Sequence, residues 1–179
     1  MCNRLLSWNK IRSKRFTIWF GFASVFFFLA CEKDDICVDG DTPLLILTFY
    51  NSADPSLAKA VNKLRVIGIE KDTPVGTFSD RSNRDSIALP LKANVERTGF
   101  VFYKDSASDE AGIELGNPDT IYFDYKIQSV FVSRACGFVP NFEDFSATLI
   151  SDENTWIDSL EVKQTRISNA TSSHVSIYY

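Results

Sequence analysis

Residues 119–133 read Asp-Thr-Ile-Tyr-Phe-Asp-Tyr-Lys-Ile-Gln-Ser-Val-Phe-Val-Ser, a run that suits a β-strand and not a helix. Successive strand side chains point to opposite faces, so Ile121, Phe123, Tyr125, Ile127 and Phe131 share one face and Asp124, Lys126 and Gln128 share the other. The same period recurs where Phe145, Ala147 and Leu149 alternate with Asp144, Ser146 and Thr148. Ile87, Leu89 and Leu91 alternate with Ser86, Ala88 and Pro90, and the proline marks an edge strand because it has no N–H to donate. Residues 44–50 are apolar on both faces, as a central strand requires, and 64–69, 100–103, 156–167 and 175–179 complete the set. Turn residues gather between these runs at 51–55, 80–85, 104–112, 116–119 and 168–173. One segment, 54–60, carries a helix start, with Asp54 as cap and Pro55 in the first helical position. No internal repeat interrupts the strand–turn–strand order, and the expected fold is all-β: one antiparallel β-sandwich domain, immunoglobulin-like or related.

The N-terminus is of another kind. Arg4, Lys10, Arg12, Lys14 and Arg15 precede an apolar stretch over 16–30, which ends at Cys31 and the charged Glu32-Lys33-Asp34-Asp35. A spanning helix needs about 20 apolar residues, so a cleaved signal peptide fits better than a retained anchor. Leu29-Ala30-Cys31 resembles the lipobox of bacterial lipoproteins, in which the cysteine is acylated and becomes the first residue. Phe28 departs from the commonest form, which has Leu there. A diacyl or triacyl cysteine holds a protein to a membrane stably without spanning it. The expected organisation is a removed signal over 1–30, a lipidated acidic tether over 31–43 and the sandwich over 44–179. An outer-membrane barrel, suggested by the closing Val-Ser-Ile-Tyr-Tyr, fits poorly with a lipid anchor and with strands that are polar on one face.

Removal of 1–30 leaves 149 residues, one domain's worth, and takes away five basic residues and no acidic one. Fourteen Lys and Arg then face 23 Asp and Glu, for a formal charge of −9, a surface that disfavours nucleic acid and anionic lipid as partners. Cys2 leaves with the signal and Cys31 takes the lipid, so Cys37 and Cys136 remain to form a disulfide in an oxidising compartment. The competing arrangement is a free Cys37 and a separately buried Cys136.

Little in the chain points to catalysis. His174 is the only histidine, which excludes a histidine-built zinc site, and no Gly-x-Ser-x-Gly elbow accompanies it. Asp34, Asp35, Asp39 and Asp41 cluster around Cys37, and Asp105, Asp109 and Glu110 share a loop, but neither group has EF-hand spacing and both read as solvated segments. No cofactor and no metal are expected. Paired surface carboxylates keep a small hydrolase as an alternative. Arg134, beside Cys136, is expected to hold a turn through its guanidinium donors.

Three resemblances narrow location more than activity. Lys33, Asp34 and Asp35 after the acylated cysteine resemble the export signal of surface lipoproteins in the Bacteroidetes, which implies the outer face of the outer membrane. Asp85-Ser86-Ile87, Asp105-Ser106-Ala107, Asp119-Thr120-Ile121 and Asp158-Ser159-Leu160 look like the sites at which exported proteins of that group are O-glycosylated, which implies sugar on Ser86, Ser106, Thr120 or Ser159. About one such tripeptide is expected by chance from this composition. The eukaryotic sequon Asn169-Ala170-Thr171 is discounted. Cys31-Glu-Lys-Asp-Asp-Ile-Cys37, Thr42-Pro43, the Phe49-Tyr50 strand end and Val132-Ser133-Arg134-Ala135-Cys136-Gly137-Phe138 together resemble a family of small Bacteroidetes lipoproteins of unknown function. The resulting expectation is a non-enzymatic, surface-exposed outer-membrane lipoprotein acting as a binding or envelope-structural module, its ligand unspecified. An accessory subunit of an outer-membrane transport or assembly complex is the alternative.

Overall fold

A computed structural model describes residue 37 and residues 41–179. Cys31, Lys33, Asp34 and Asp35 lie outside the described residues. Ten strands follow one another: β1 (Leu45–Asn51), β2 (Asp54–Ala58), β3 (Val61–Gly68), β4 (Ser82–Arg84), β5 (Ser86–Leu89), β6 (Arg97–Lys104), β7 (Asn117–Ser133), β8 (Gly137–Ile150), β9 (Ser159–Val162) and β10 (Val175–Tyr178). They form two five-stranded sheets, packed together as a β-sandwich. One sheet runs β2-β1-β10-β9, with β5 also paired to β1; the other runs β4-β3-β6-β7-β8.

Both sheets feed one core. Leu45, Leu47, Phe49, Val175 and Ile177 meet Leu64, Val66, Phe102, Ile121 and Phe123, all fully buried. Phe123 stacks on Phe145 with centroids 5.6 Å apart, and the Tyr125 edge meets Phe142 at 4.8 Å, so the interior has the offset and edge geometries that aromatic quadrupoles favour. At one end, Tyr179 packs edge-on against Phe49 and Trp156, with the Lys59 ammonium 4.1 Å from its ring centre. A packed core between two sheets leaves no barrel.

β1 is central, as its two apolar faces require, with β10 on one side and β5 and β2 in succession on the other. The β1–β10 pair is parallel and joins residues about 128 positions apart, the one ladder that departs from the antiparallel expectation. β5 stops at Leu89, before Pro90, and pairs only with β1, as an edge strand does.

Two local expectations fail. Residues 54–58 form strand β2 and not a helix, because Asp54 Oδ1 accepts from the N–H and hydroxyl of Ser56, a local turn that replaces an N-cap. Phe131 shares the face of Ile121 and Phe123 by register, yet it is 56% exposed. The β6 ladder stops at Arg97↔Asp124, and β8 keeps backbone bonds to residues 165–167 as far as Phe142, so β7 and β8 continue as a two-stranded ribbon only beyond Ile127 and Phe142.

Candidate functional site

The two ends of β7 carry the features that stand apart from the core. Midway along it, β7 and β8 break register between Asp124 and Lys126, opposite Asp144, whose φ is 51°. A bulge of this kind bends and twists a ribbon away from its sheet. Lys126 and Asp144 pair across it at 2.7 Å, and Arg97 grips Asp124 with two nitrogens. These charges line a shallow groove of about 500 Å³ with Val95, Glu96 and Tyr125. Its acids and bases thus face one another.

Beyond the bulge the ribbon closes on Ser133↔Gly137, leaving the three-residue turn Arg134-Ala135-Cys136. Gly137 takes the left-handed conformation (φ 69°) that such turns require, and the Cys136 N–H donates to Ser133 Oγ at 3.0 Å. Among the described residues Arg134 has no hydrogen-bond or ion-pair partner, so the expected guanidinium brace is supplied by Ser133 and the backbone instead. Cys136 is bonded to Cys37, with Cα atoms 4.8 Å apart. Phe131 and Phe138 face each other across the ribbon, ring centres 5.5 Å apart, and Phe138 is 70% exposed. Val132 joins them at the surface.

At the near end, the loop over 105–116 is fastened by Glu114, a residue that no sequence pattern singled out. Glu114 accepts from Arg81 Nη2, from Ser106 Oγ and from the N–H groups of Ala107 and Gly116, and Arg65 lies 3.7 Å away. Burial works against its charge, but the donors from Gly116, Arg81, Ser106 and Ala107 outweigh it, and the carboxyl sits below its ordinary 4.5. Asp109 Oδ1 accepts from the N–H groups of Ala111 and Ile113, closing the turn, while Asp105 pairs with Asn62. Asp109 and Glu114 thus hold the loop's backbone, and among the described residues no group of three metal-ligating side chains comes together. Glu114 turns inward, and its neighbours Ile113 and Leu115 are left 62% and 63% exposed.

The remaining candidates are dispersed. Ser86 starts β5 and donates to the Leu47 carbonyl; Ser159 starts β9 and is exposed; Thr120 lies half-buried within β7. Ser106 is buried, its hydroxyl held between Arg81 and Glu114, so the folded chain does not present it to solvent. His174 is buried as well. Its Nδ1 accepts the Ile46 N–H at 2.9 Å, and its backbone N–H donates to the Ile46 carbonyl, so it extends the β1–β10 ladder. Burial holds the imidazole below 6.5, in the neutral form that can accept. Burial likewise raises Asp119, although its Oδ2 accepts from the N–H groups of Ile157 and Trp156. Among the described residues Asp119 is the carboxyl pushed upward, and it is buried within the sandwich.

An all-β sandwich with a disulfide-held hairpin is the class that fold and site define. The chain belongs to a family of unknown function (DUF6452), whose model matches residues 63–179 and so takes in the hairpin, Cys136 and the Glu114 loop. No curated protein and no solved structure matches it.

Proposed function

We propose that this chain is a lipid-anchored, non-catalytic binding module of the outer membrane, held through Cys31 and exposed on the cell surface, and that its binding end is the loop over 105–116. The observation that carries this reading is the contrast within that loop: Glu114 is fixed by four donors while Ile113 and Leu115 stand in water. Ordering apolar side chains in the exposed position before a partner arrives removes part of the entropic cost of association. The partner is a protein with an apolar surface, in keeping with a mature charge of −9 that disfavours nucleic acid. A hydrolase is less well supported, since Arg97–Asp124 and Lys126–Asp144 neutralise one another in the groove and the raised carboxyl of Asp119 is enclosed.

The test is protease shaving of intact cells, followed by crosslinking pulldown with the wild type and an Ile113→Asp/Leu115→Asp variant. Loss of the protein on shaving and capture of one membrane partner by the wild type alone are the expected results. Protection from the protease, or equal capture by the variant at an unchanged melting temperature, would overturn the surface location or the loop assignment respectively.

A further inference from the structure

We propose that the tip of the β7–β8 hairpin is a membrane foot, with Phe131, Val132 and Phe138 seated in the headgroup–acyl boundary of the bilayer that holds the Cys31 lipid. This deepens the lipid-anchor reading and rests on it.

The disulfide supplies the geometry. Cys37 is six residues from Cys31, so even a fully extended connection spans no more than about 22 Å. The Cys37 and Cys136 Cα atoms are 4.8 Å apart, so the hairpin turn stays within reach of the membrane surface however the intervening residues run. A tether running free from Cys31 to β1 would extend about 45 Å and let several faces of the sandwich approach lipid. The bond selects one. The 105–116 loop, at the other end of the 17-residue β7, is about 50 Å away along the strand.

The chemistry of the tip suits that position. Residues 129–142 contain a single charged residue, Arg134, in a mature chain that otherwise carries a large excess of acid. The three apolar side chains flank the turn and are 39–70% exposed, although Phe131 and Phe138 already cover part of each other. From Phe131 to the turn is about 10 Å of strand, comparable to the depth at which interfacial segments bury their apolar faces. Arg134, at the turn and exposed, has a stem long enough to return its guanidinium to the phosphates while its methylenes stay among the lipids. The acidic tether offers no electrostatic attraction to an anionic bilayer, so the aromatic pair supplies the contact.

The experiment uses the full chain, acylated in a bacterial host and reconstituted into phosphatidylethanolamine–phosphatidylglycerol vesicles whose acyl chains carry bromine. Once 1–30 is removed, Trp156 is the only tryptophan, and it is buried at the loop end of the molecule, so the wild type should show no quenching. Phe138→Trp should be quenched at least about twofold, as a shallow interfacial residue would be. Phe131→Trp is the second reporter should the first fold poorly. Intact mass reads acylation independently. An acylated, disulfide-bonded protein in which neither reporter is quenched overturns the foot and leaves the anchor standing. An unacylated Cys31 overturns the anchor and the foot together. A reporter shielded only when a second protein co-purifies overturns the foot in favour of protein docking.

Discussion

Two phenylalanines on the same face of one strand separate burial from mere pattern. Phe123 is fully buried against Phe100 and Phe145, whereas Phe131, eight residues on, has lost the opposing sheet. Phe123→Ala should therefore cost about 3–5 kcal/mol, and Phe131→Ala should change stability by less than about 0.5 kcal/mol, in urea unfolding monitored by circular dichroism. His174 makes a second contrast, because its value to the fold is as a neutral acceptor. Its pKa is depressed in the folded state, so its contribution is complete above about pH 6.5 and is lost as the pH falls through the lower, folded value. The melting temperature should drop as the pH falls below 6.5. His174→Gln should start lower at pH 7 and show a flatter slope through that window; parallel curves for the two proteins would show that the imidazole does not titrate with unfolding.

Elements are bent and fastened by groups whose spacing in sequence is unremarkable. The bulge at Asp124–Lys126 and the left-handed Asp144 turn a regular hairpin into an arm, although the alternation of β7 runs through it unbroken. A turn was expected beside Cys136 only as something Arg134 would brace; that Gly137 closes a three-residue connection in the left-handed conformation is decided by the structure. The helix expected over 54–60 was not formed: the same Asp and Pro that suit an N-cap also suit an Asx turn, and β2 gains a ladder with β1. For the 105–116 loop, Glu114→Ala would leave the Ala107 and Gly116 N–H groups without their acceptor and take from Arg81 its ion-pair partner in the loop. We expect a loss of about 1–3 kcal/mol and rapid cleavage within 105–116 in limited proteolysis, with the remaining strands protected. Its depressed carboxyl adds a second acid transition, with stability present above about pH 4.5 and lost as the pH falls through the folded value.

Over the whole molecule, the fold is closed by contacts between residues far apart in the chain. β10 enters beside β1, His174 joins the ladder, and Tyr179 packs on Phe49 and Trp156 at the end of the core. The disulfide spans 99 residues in sequence and ties residue 37 to the end of a ribbon that has only two strands, an arrangement of marginal stability alone. In a chain-entropy treatment a loop of this length is worth about 4–5 kcal/mol. Cys37→Ser/Cys136→Ser should lower the denaturation midpoint by most of that amount and raise hydrogen exchange at 127–141. Exchange in β1, β6 and β10 should rise less, because those strands lie within the sandwich.

Hydrophobic alternation and turn chemistry are local properties, so the sequence alone determined the all-β class, the central position of β1 and the edge position of β5, and it proposed the Cys37–Cys136 bond that the structure then showed. It also singled out the stretch around Cys136 without showing what it does. Tertiary structure decided where the opposing sheet ends, and with that which aromatics are core and which are bare. It also decided that Ser106 and His174 are enclosed, that Glu114 organises a loop, and that the first and last strands run in parallel. The reason is physical: period and propensity describe a residue's own strand, whereas exposure depends on the extent of the facing sheet, and ion pairs and ladders join residues whose separation in the chain carries no signal.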